Sequence, residues 1–408
     1  MKNVNVRRLL WARGLRAFGD GFVSLLLPVY LLSLGLTPFQ VGVIATGTLL
    51  GSGILTLWVG LRAHAFRRRA LLLGAAALMA LTGLGFATIT SFWPLLVVAV
   101  IGTLNPSSGD VSVFLPLEHS ILAHTVADEQ RTATFARYSL VGALLGALGA
   151  LFAGVPEILA AAFHASVGGA YQAMFLLYAL LGVVSGVIYR RLPATIAAEP
   201  EAPPAPLRRS KRMVYKLAAL FSLDAFGGGF IVQSLLALWL FQKYQLSTAV
   251  AGTIFFWTSV LSAFSYPLAT RIAKRVGLVN TMVFTHLPAN VLLLLVPLAP
   301  NLGVAVALLL LRSALSQMDV PTRSSYVMAV VVPSERAAAA SVTSVPRSLA
   351  SAVSPIIAGY LLGLSTFGWP LVIAGSVKIV YDLLLLANFR SVPPPEEAAI
   401  RQQTGTAE

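Results

Sequence analysis

Asp20 stands inside the apolar run LRAFGDGFVSLLLPVYL, and Asp224 stands inside LDAFGGGFIVQSLLALWL. A carboxylate in such surroundings is costly unless it is paired, hydrated or protonated, so each is a candidate for taking up a proton or meeting a charged solute. Arg16 lies four residues before Asp20 on the same helical face, and the two are expected to neutralise each other. Arg312 interrupts another apolar run. It is expected to meet Asp319 or another acid, or to hold an anionic solute. Lys378 and Asp382 are one turn apart and are expected to satisfy one another. His286 and Asn290 are also one turn apart, and Gln233 precedes Ser234; these add hydrogen-bonding groups, with His286 read first as a packing residue. Glu118 and Arg323 are expected near helix ends, with their charges snorkelling to water.

The elements that position these groups follow from composition. Of 408 residues, 57% are hydrophobic and 11% charged, whereas soluble domains run at roughly 45–50% and 25%. Apolar runs of about 20 residues, enough to cross a bilayer, recur as twelve predicted helices at residues 8–34, 38–61, 70–89, 92–117, 137–155, 170–190, 213–240, 248–270, 279–298, 302–320, 340–363 and 368–389. The expected class is an all-α membrane protein. NPSSGD from Asn105 should interrupt the fourth helix.

The formal charge of +14 follows topology. Even-numbered connections carry Arg67, Arg68, Arg69, Arg131, Arg190, Arg191, Arg208, Arg209, Lys211, Arg212, Lys274, Arg275 and Arg336, while odd-numbered ones are nearly free of Lys and Arg, apart from Lys243. The positive-inside rule then puts both termini in the cytoplasm. The basic excess is read as topology plus attraction to anionic lipid rather than nucleic-acid binding. With no Cys, disulfides, thiolate metal sites and cysteine nucleophiles are excluded. No G-x-x-x-x-G-K-[ST] loop, H-E-x-x-H pair or cluster of His and acids occurs, so neither an ATP-driven pump nor a metal-dependent enzyme is supported. No metal, cofactor or catalytic residue is expected.

The chain repeats itself. Phe18, Gly19, Gly21 and Phe22 fall on Phe226, Gly227, Gly229 and Phe230 at an offset of 208, and Gly42, Asp110 and Arg137 fall on Gly252, Asp319 and Arg347 at offsets of 209 or 210. This divides the chain into a six-helix half at residues 1–192, a Pro- and Ala-rich cytoplasmic linker at 193–212, a second half at 213–390 and a cytoplasmic tail at 391–408. An even number of helices per half makes the repeats parallel, and proteins built this way bind solutes between halves near the midplane. Asp110 with Arg137 and Asp319 with Arg347 then read as one latch per half.

These features resemble the major facilitator superfamily, especially its bacterial efflux-type twelve-helix members. GLRAHAFRRR from Gly60 is similar to the family's loop signature G-x-L-A-D-R-x-G-R-R, keeping Gly60, Ala63, Arg68 and Arg69 with His64 at the family's Asp; PLATRIAKRVG from Pro267 is a looser second copy. The DVPTRSSYVMAVVVPSERAAAASV segment and the glycines Gly142, Gly146, Gly149 and Gly154 are similar to the efflux branch. The resemblance implies two pseudo-symmetric six-helix bundles and a monomer in the cell inner membrane. It implies secondary transport by alternating access: proton-coupled efflux of a small organic or drug-like compound, or uptake or facilitated diffusion of a small solute, including an anionic one, with a non-transporting scaffold or receptor as a remote alternative. Asp20 and Asp224 would face water and substrate, with Arg16, Arg312, Gln233, His286 and Asn290 as further substrate or coupling groups. Asp110, Arg137, Asp319, Arg347, His64, Arg68 and Arg69 would serve the gates.

Overall fold

The computed structural model describes residues 2–62, 66–107, 112–126, 128–164, 166–193, 207–390 and 392. Among these the regular structure is helical throughout. In chain order the helices are α1 (Lys2–Ser33), α2 (Pro38–Arg62), α3 (Arg68–Thr88), α4 (Phe92–Ile101), α5 (Phe114–Thr125), α6 (Asp128–Phe152), α7 (Val155–Phe163) and α8 (Val167–Arg190). There follow α9 (Lys211–Gly229), α10 (Gln233–Tyr244), α11 (Thr248–Val276), α12 (Leu278–Leu295), α13 (Leu302–Ser316), α14 (Asp319–Val330), α15 (Arg336–Leu364) and α16 (Trp369–Phe389). Among the described residues, eleven stretches are long and apolar enough to span a membrane. In the region of the fourth predicted helix, α4 covers 10 residues and α5 covers 12, each shorter than a span.

Three of the predicted helices are broken, each where the sequence frees backbone groups. The break after Ile101 falls where NPSSGD begins; there Ser107 donates to Asn105 Oδ1 through both its N–H (3.0 Å) and its hydroxyl (2.7 Å), a local turn that competes with helical bonding. The seventh, read as continuous from 213 to 240, breaks between Gly229 and Gln233 behind three consecutive glycines. One orphan N–H of α10, that of Ser234, donates to Pro106 O at 3.0 Å, so the two breaks satisfy each other. The tenth breaks between Ser316 and Asp319, ahead of Pro321.

The chain forms two compact units, neither continuous in sequence. The first comprises Met1–Glu201, Ile231–Val260 and Pro355–Phe367; the second comprises Ala202–Phe230, Leu261–Ser354 and Gly368–Glu408. Within the first, α1 packs on α6 and α8, and α3 packs on α8. Within the second, α12 packs against α13, α14 and α16, while α9 lies on α16; Phe221, Met282, Tyr326, Tyr381 and Phe389 form much of the buried apolar core. The repeat is visible in both units at one pair of glycines. Gly21 lies against the α6 backbone at Gly146, Gly229 lies against the α15 backbone at Ser351, and neither contact has room for a Cβ. Residues 194–206, most of the expected linker, and 393–408, most of the expected tail, lie outside the described residues, as do His64 and Asp110.

At the end of the first unit away from the basic loops, helices from both sequence halves meet through small residues. A Cβ on Gly42 would stand 2.5 Å from Pro355 O and 2.9 Å from Gly359 Cα. A Cβ on Gly252 would stand 2.5 Å from Ala150 O. One carboxylate joins this region: Glu157 Oε2 accepts the Thr248 N–H at the start of α11 (3.1 Å), and its Oε1 accepts the Tyr171 hydroxyl (3.2 Å).

A second carboxylate closes the start of α9. Glu335 Oε1 accepts the N–H groups of Arg208 and Arg209 at 2.9 Å each, and Oε2 accepts that of Ser210 at 3.0 Å. These bonds to the charged form hold the carboxyl at about 2, below the usual carboxylate range. A depressed carboxyl contributes stability that is complete above its ordinary pKa and fades as pH falls through the depressed value. Glu335→Gln is expected to speed tryptic cleavage after Arg209 several-fold at neutral pH. An unchanged cleavage rate would mean that the carboxylate does not hold this entry segment.

Candidate functional site

The second unit gathers a network of buried charge from four helices. Asp224 on α9 is 4% exposed. Its Oδ1 accepts Lys378 Nζ from α16 at 2.6 Å, and its Oδ2 accepts Arg323 Nη1 from α14 at 3.3 Å. Arg323 uses its other terminal nitrogen on Asp319, one turn earlier in α14. From α12, His286 Nδ1 stands 2.8 Å from Asp382 Oδ1, and Asn290 Nδ2 donates to Asp382 Oδ2 at 2.9 Å. His286 Nε2 faces Asp224 Oδ1 at 3.8 Å, the same oxygen that Lys378 holds.

This geometry has a chemical consequence. With Asp382 ionised, a neutral His286 that carries its proton on Nδ1 donates to Asp382 Oδ1, and Asn290 Nδ2, 3.1 Å from Nδ1, then keeps Asp382 Oδ2 as its acceptor. The other nitrogen, Nε2, is then a lone pair in the neutral ring and an N–H in the charged one, directed at Asp224. A single proton on Nε2 therefore sets His286 in competition with Lys378 for one carboxylate oxygen. In a low-dielectric interior such a rearrangement carries far more energy than in water.

The first unit holds a different arrangement at the corresponding place. Arg16 Nη2 bonds Glu118 Oε2 at 2.6 Å and Nη1 bonds the Tyr189 hydroxyl at 2.6 Å. Tyr189 donates to Glu118 Oε1 at 2.7 Å, and Tyr138 donates to Oε2. The guanidinium lies 4.0 Å above the Phe114 ring. Glu118 is wholly buried and Arg16 is 3% exposed, so this is a closed structural network with its acceptors filled. Asp20 is half-buried beside the Tyr178 phenol.

The internal repeat relates the two networks. Gly19 packs against Tyr178, and its repeat partner Gly227 packs against Lys378; a Cβ at either glycine would stand 3.0 Å from that side chain. Arg16 and Asp224 are likewise partners, as are Phe114 and Arg323 at an offset of 209. The same helix pair thus meets through a cation over a ring in one unit and through an ion pair in the other.

Several expected pairings are corrected. Arg16 pairs with Glu118 on α5, not with Asp20 one turn away, because the Glu118 side chain lies in the buried interface that Arg16 faces. Lys378 and Asp382 do not satisfy each other: Lys378 reaches Asp224, and Asp382 is taken by His286 and Asn290. Glu118 and Arg323 do not snorkel, being 0% and 7% exposed. Asp319 bonds Arg323 rather than Arg347, and both Arg347 and Arg137 are exposed. Arg68 is buried and Arg69 half-buried at the start of α3. Gln233 Nε2 and Ser234 Oγ are buried without a hydrogen-bond partner among the described residues, and so is Arg312 Nε. Arg312 meets neither Asp319 nor another acid in an ion pair there. The repeat register carried the missed signal: it puts Arg323 on Phe114 and Asp224 on Arg16, and Glu118 one turn beyond Phe114.

The comparisons agree with this architecture. The Major Facilitator Superfamily profile matches residues 9–311 and, in a second match, 217–407. The chain is 28% identical to the uncharacterized membrane protein YJR124C of Saccharomyces cerevisiae, over 97% of this chain and 96% of that one. The fold is shared with the nucleoside transporter NupG (TM-score 0.71, 14% identity, 94% of this chain and 98% of that one). It is shared equally with a bacterial homologue of the iron transporter ferroportin (TM-score 0.71, 16% identity, 94% and 98%), and with the human organic anion transporter MFSD10 (TM-score 0.64, 19% identity, 94% and 99%). With two matches that together run from residue 9 to residue 407, and buried charge gathered on its apolar helices, the chain belongs to the Major Facilitator Superfamily and is a membrane transporter of that class.

Proposed function

We propose that the protein is a secondary transporter working by alternating access, which exports a small organic compound in exchange for protons across the cell inner membrane, with both termini in the cytoplasm. The observation that carries this reading is the Asp224 network, in which His286 Nε2 and Lys378 Nζ address the same carboxylate oxygen. A scaffold gains nothing from burying these charges, whereas a proton-coupled carrier needs groups whose pairing changes with one proton. Proton entry at His286 would draw Asp224 from Lys378 and weaken the tie between α9 and α16; proton release would restore it.

Uptake or facilitated diffusion of a small anionic solute is the second reading, favoured by Arg312, whose Nε has no partner among the described residues. Resemblance to transporters of nucleosides, organic anions and iron leaves the solute open, since likeness at 14–19% identity carries the fold alone. The two readings part in inside-out vesicles loaded from a toxin panel. Export that falls at least several-fold when the pH gradient is collapsed supports proton exchange; export indifferent to the gradient refutes it.

A further inference from the structure

Arg312 lies in α13 within the membrane span Leu302–Val330. A guanidinium in a span demands a counter-charge or water, yet each described acid near it is already engaged. Asp224 holds Lys378 and Arg323, Asp319 holds Arg323, and Asp382 holds His286 and Asn290. Arg312 feels Asp224 only at longer range. The buried acids of this unit, Asp224, Asp319 and Asp382, are thus taken up by Lys378, Arg323, His286 and Asn290, and Arg312 is left without an ion-pair partner among the described residues. A second group shares the face of Arg312. Ser316, one turn on at the end of α13, is 7% exposed, and its hydroxyl is buried without a hydrogen-bond partner among the described residues. A half-buried guanidinium whose Nε is unfilled and a buried unfilled hydroxyl, one turn apart, make a donor set for an oxyanion.

We propose that Arg312 and Ser316 form an anion-binding subsite, and that the transported solute carries a single oxyanion group such as a carboxylate, sulfonate or phosphonate monoanion. This rests on the reading of the protein as a transporter and names the chemistry of its solute. Bound there, the anion would supply the counter-charge that Arg312 lacks and fill the free donors. A neutral analogue would leave both empty, and leaving buried donors unpaired is what discriminates strongly between solutes.

The test uses the full-length purified protein in lipid nanodiscs at constant ionic strength. Thermal shifts are read with benzoate, benzenesulfonate and phenylphosphonate against benzamide and benzyl alcohol. The expected result is stabilisation by at least one of the anions and not by the neutral pair. Arg312→Gln should abolish that selectivity, Arg312→Lys should keep it with affinity weakened roughly tenfold because a point charge replaces a fork, and Ser316→Ala should weaken it several-fold. Equal shifts with benzamide, no anion-selective shift at all, or an anion shift that survives Arg312→Gln would each overturn the proposal. Failure of the transport reading looks different: no gradient-dependent flux from the native chain in vesicles, whatever the thermal shifts show.

Discussion

Asp224→Asn is expected to lower stability by about 3–5 kcal/mol, because it strips the shared counter-charge from Lys378 and Arg323 while both remain buried. Unfolding in detergent, followed by tryptophan fluorescence, measures this. The second arm is Asp224→Asn combined with Lys378→Met. Removing both members of a buried pair relieves the stranded ammonium, so most of the lost stability should return, since Arg323 still has Asp319. Gradient-dependent flux should be absent from both variants, because His286 then has no carboxylate to take from Lys378. If the single substitution cost less than about 1 kcal/mol, within the range of an exposed pair, the network could not be a buried ionic one. A double variant that folds and still exchanges protons would remove Asp224 from coupling.

Glu118→Leu should be as severe for the fold and different for transport. Glu118 accepts from Arg16, Tyr138 and Tyr189, and its loss leaves one charge and two hydroxyls without an acceptor in a closed interior. A cost of about 3–5 kcal/mol is expected, with Glu118→Gln milder because an amide oxygen still accepts. Adding Arg16→Met should recover most of it. The refolded pair should retain gradient-dependent flux, since every member of this network is already satisfied. Loss of flux in a stable Arg16→Met, Glu118→Leu variant would mean that the first unit carries coupling as well.

The class of fold was legible because lipid imposes it: only apolar runs of spanning length, parted by sided basic loops, satisfy both bilayer and backbone. The break at Asn105 was legible for a related reason, since Pro and Gly cannot be hidden in a span without consequence. The break at Gly229 was not, because hydropathy runs on through it, and the one after Ser316 was read as the approach to a helix end at residue 320. Among the charges, local spacing misled. Arg16 with Asp20 and Lys378 with Asp382 share faces one turn apart, but a long side chain that can reach a neighbouring helix bonds whatever that helix buries. The register of the repeat held better information, because two copies of one helix crossing show which positions face each other even where the residue types have changed.

The end of the first unit where Gly42 meets Gly359 and Gly252 meets Ala150 is closed by main chain on main chain. Dispersion between neutral backbones is indifferent to dissolved ions, and the charges described at that end, Glu157 and Lys243, meet a backbone N–H, a tyrosine hydroxyl and aromatic rings. Raising the salt from millimolar to molar should therefore leave the rate of opening at that end nearly constant, while any solute drawn in by charge at Arg312 would arrive more slowly as its field is screened.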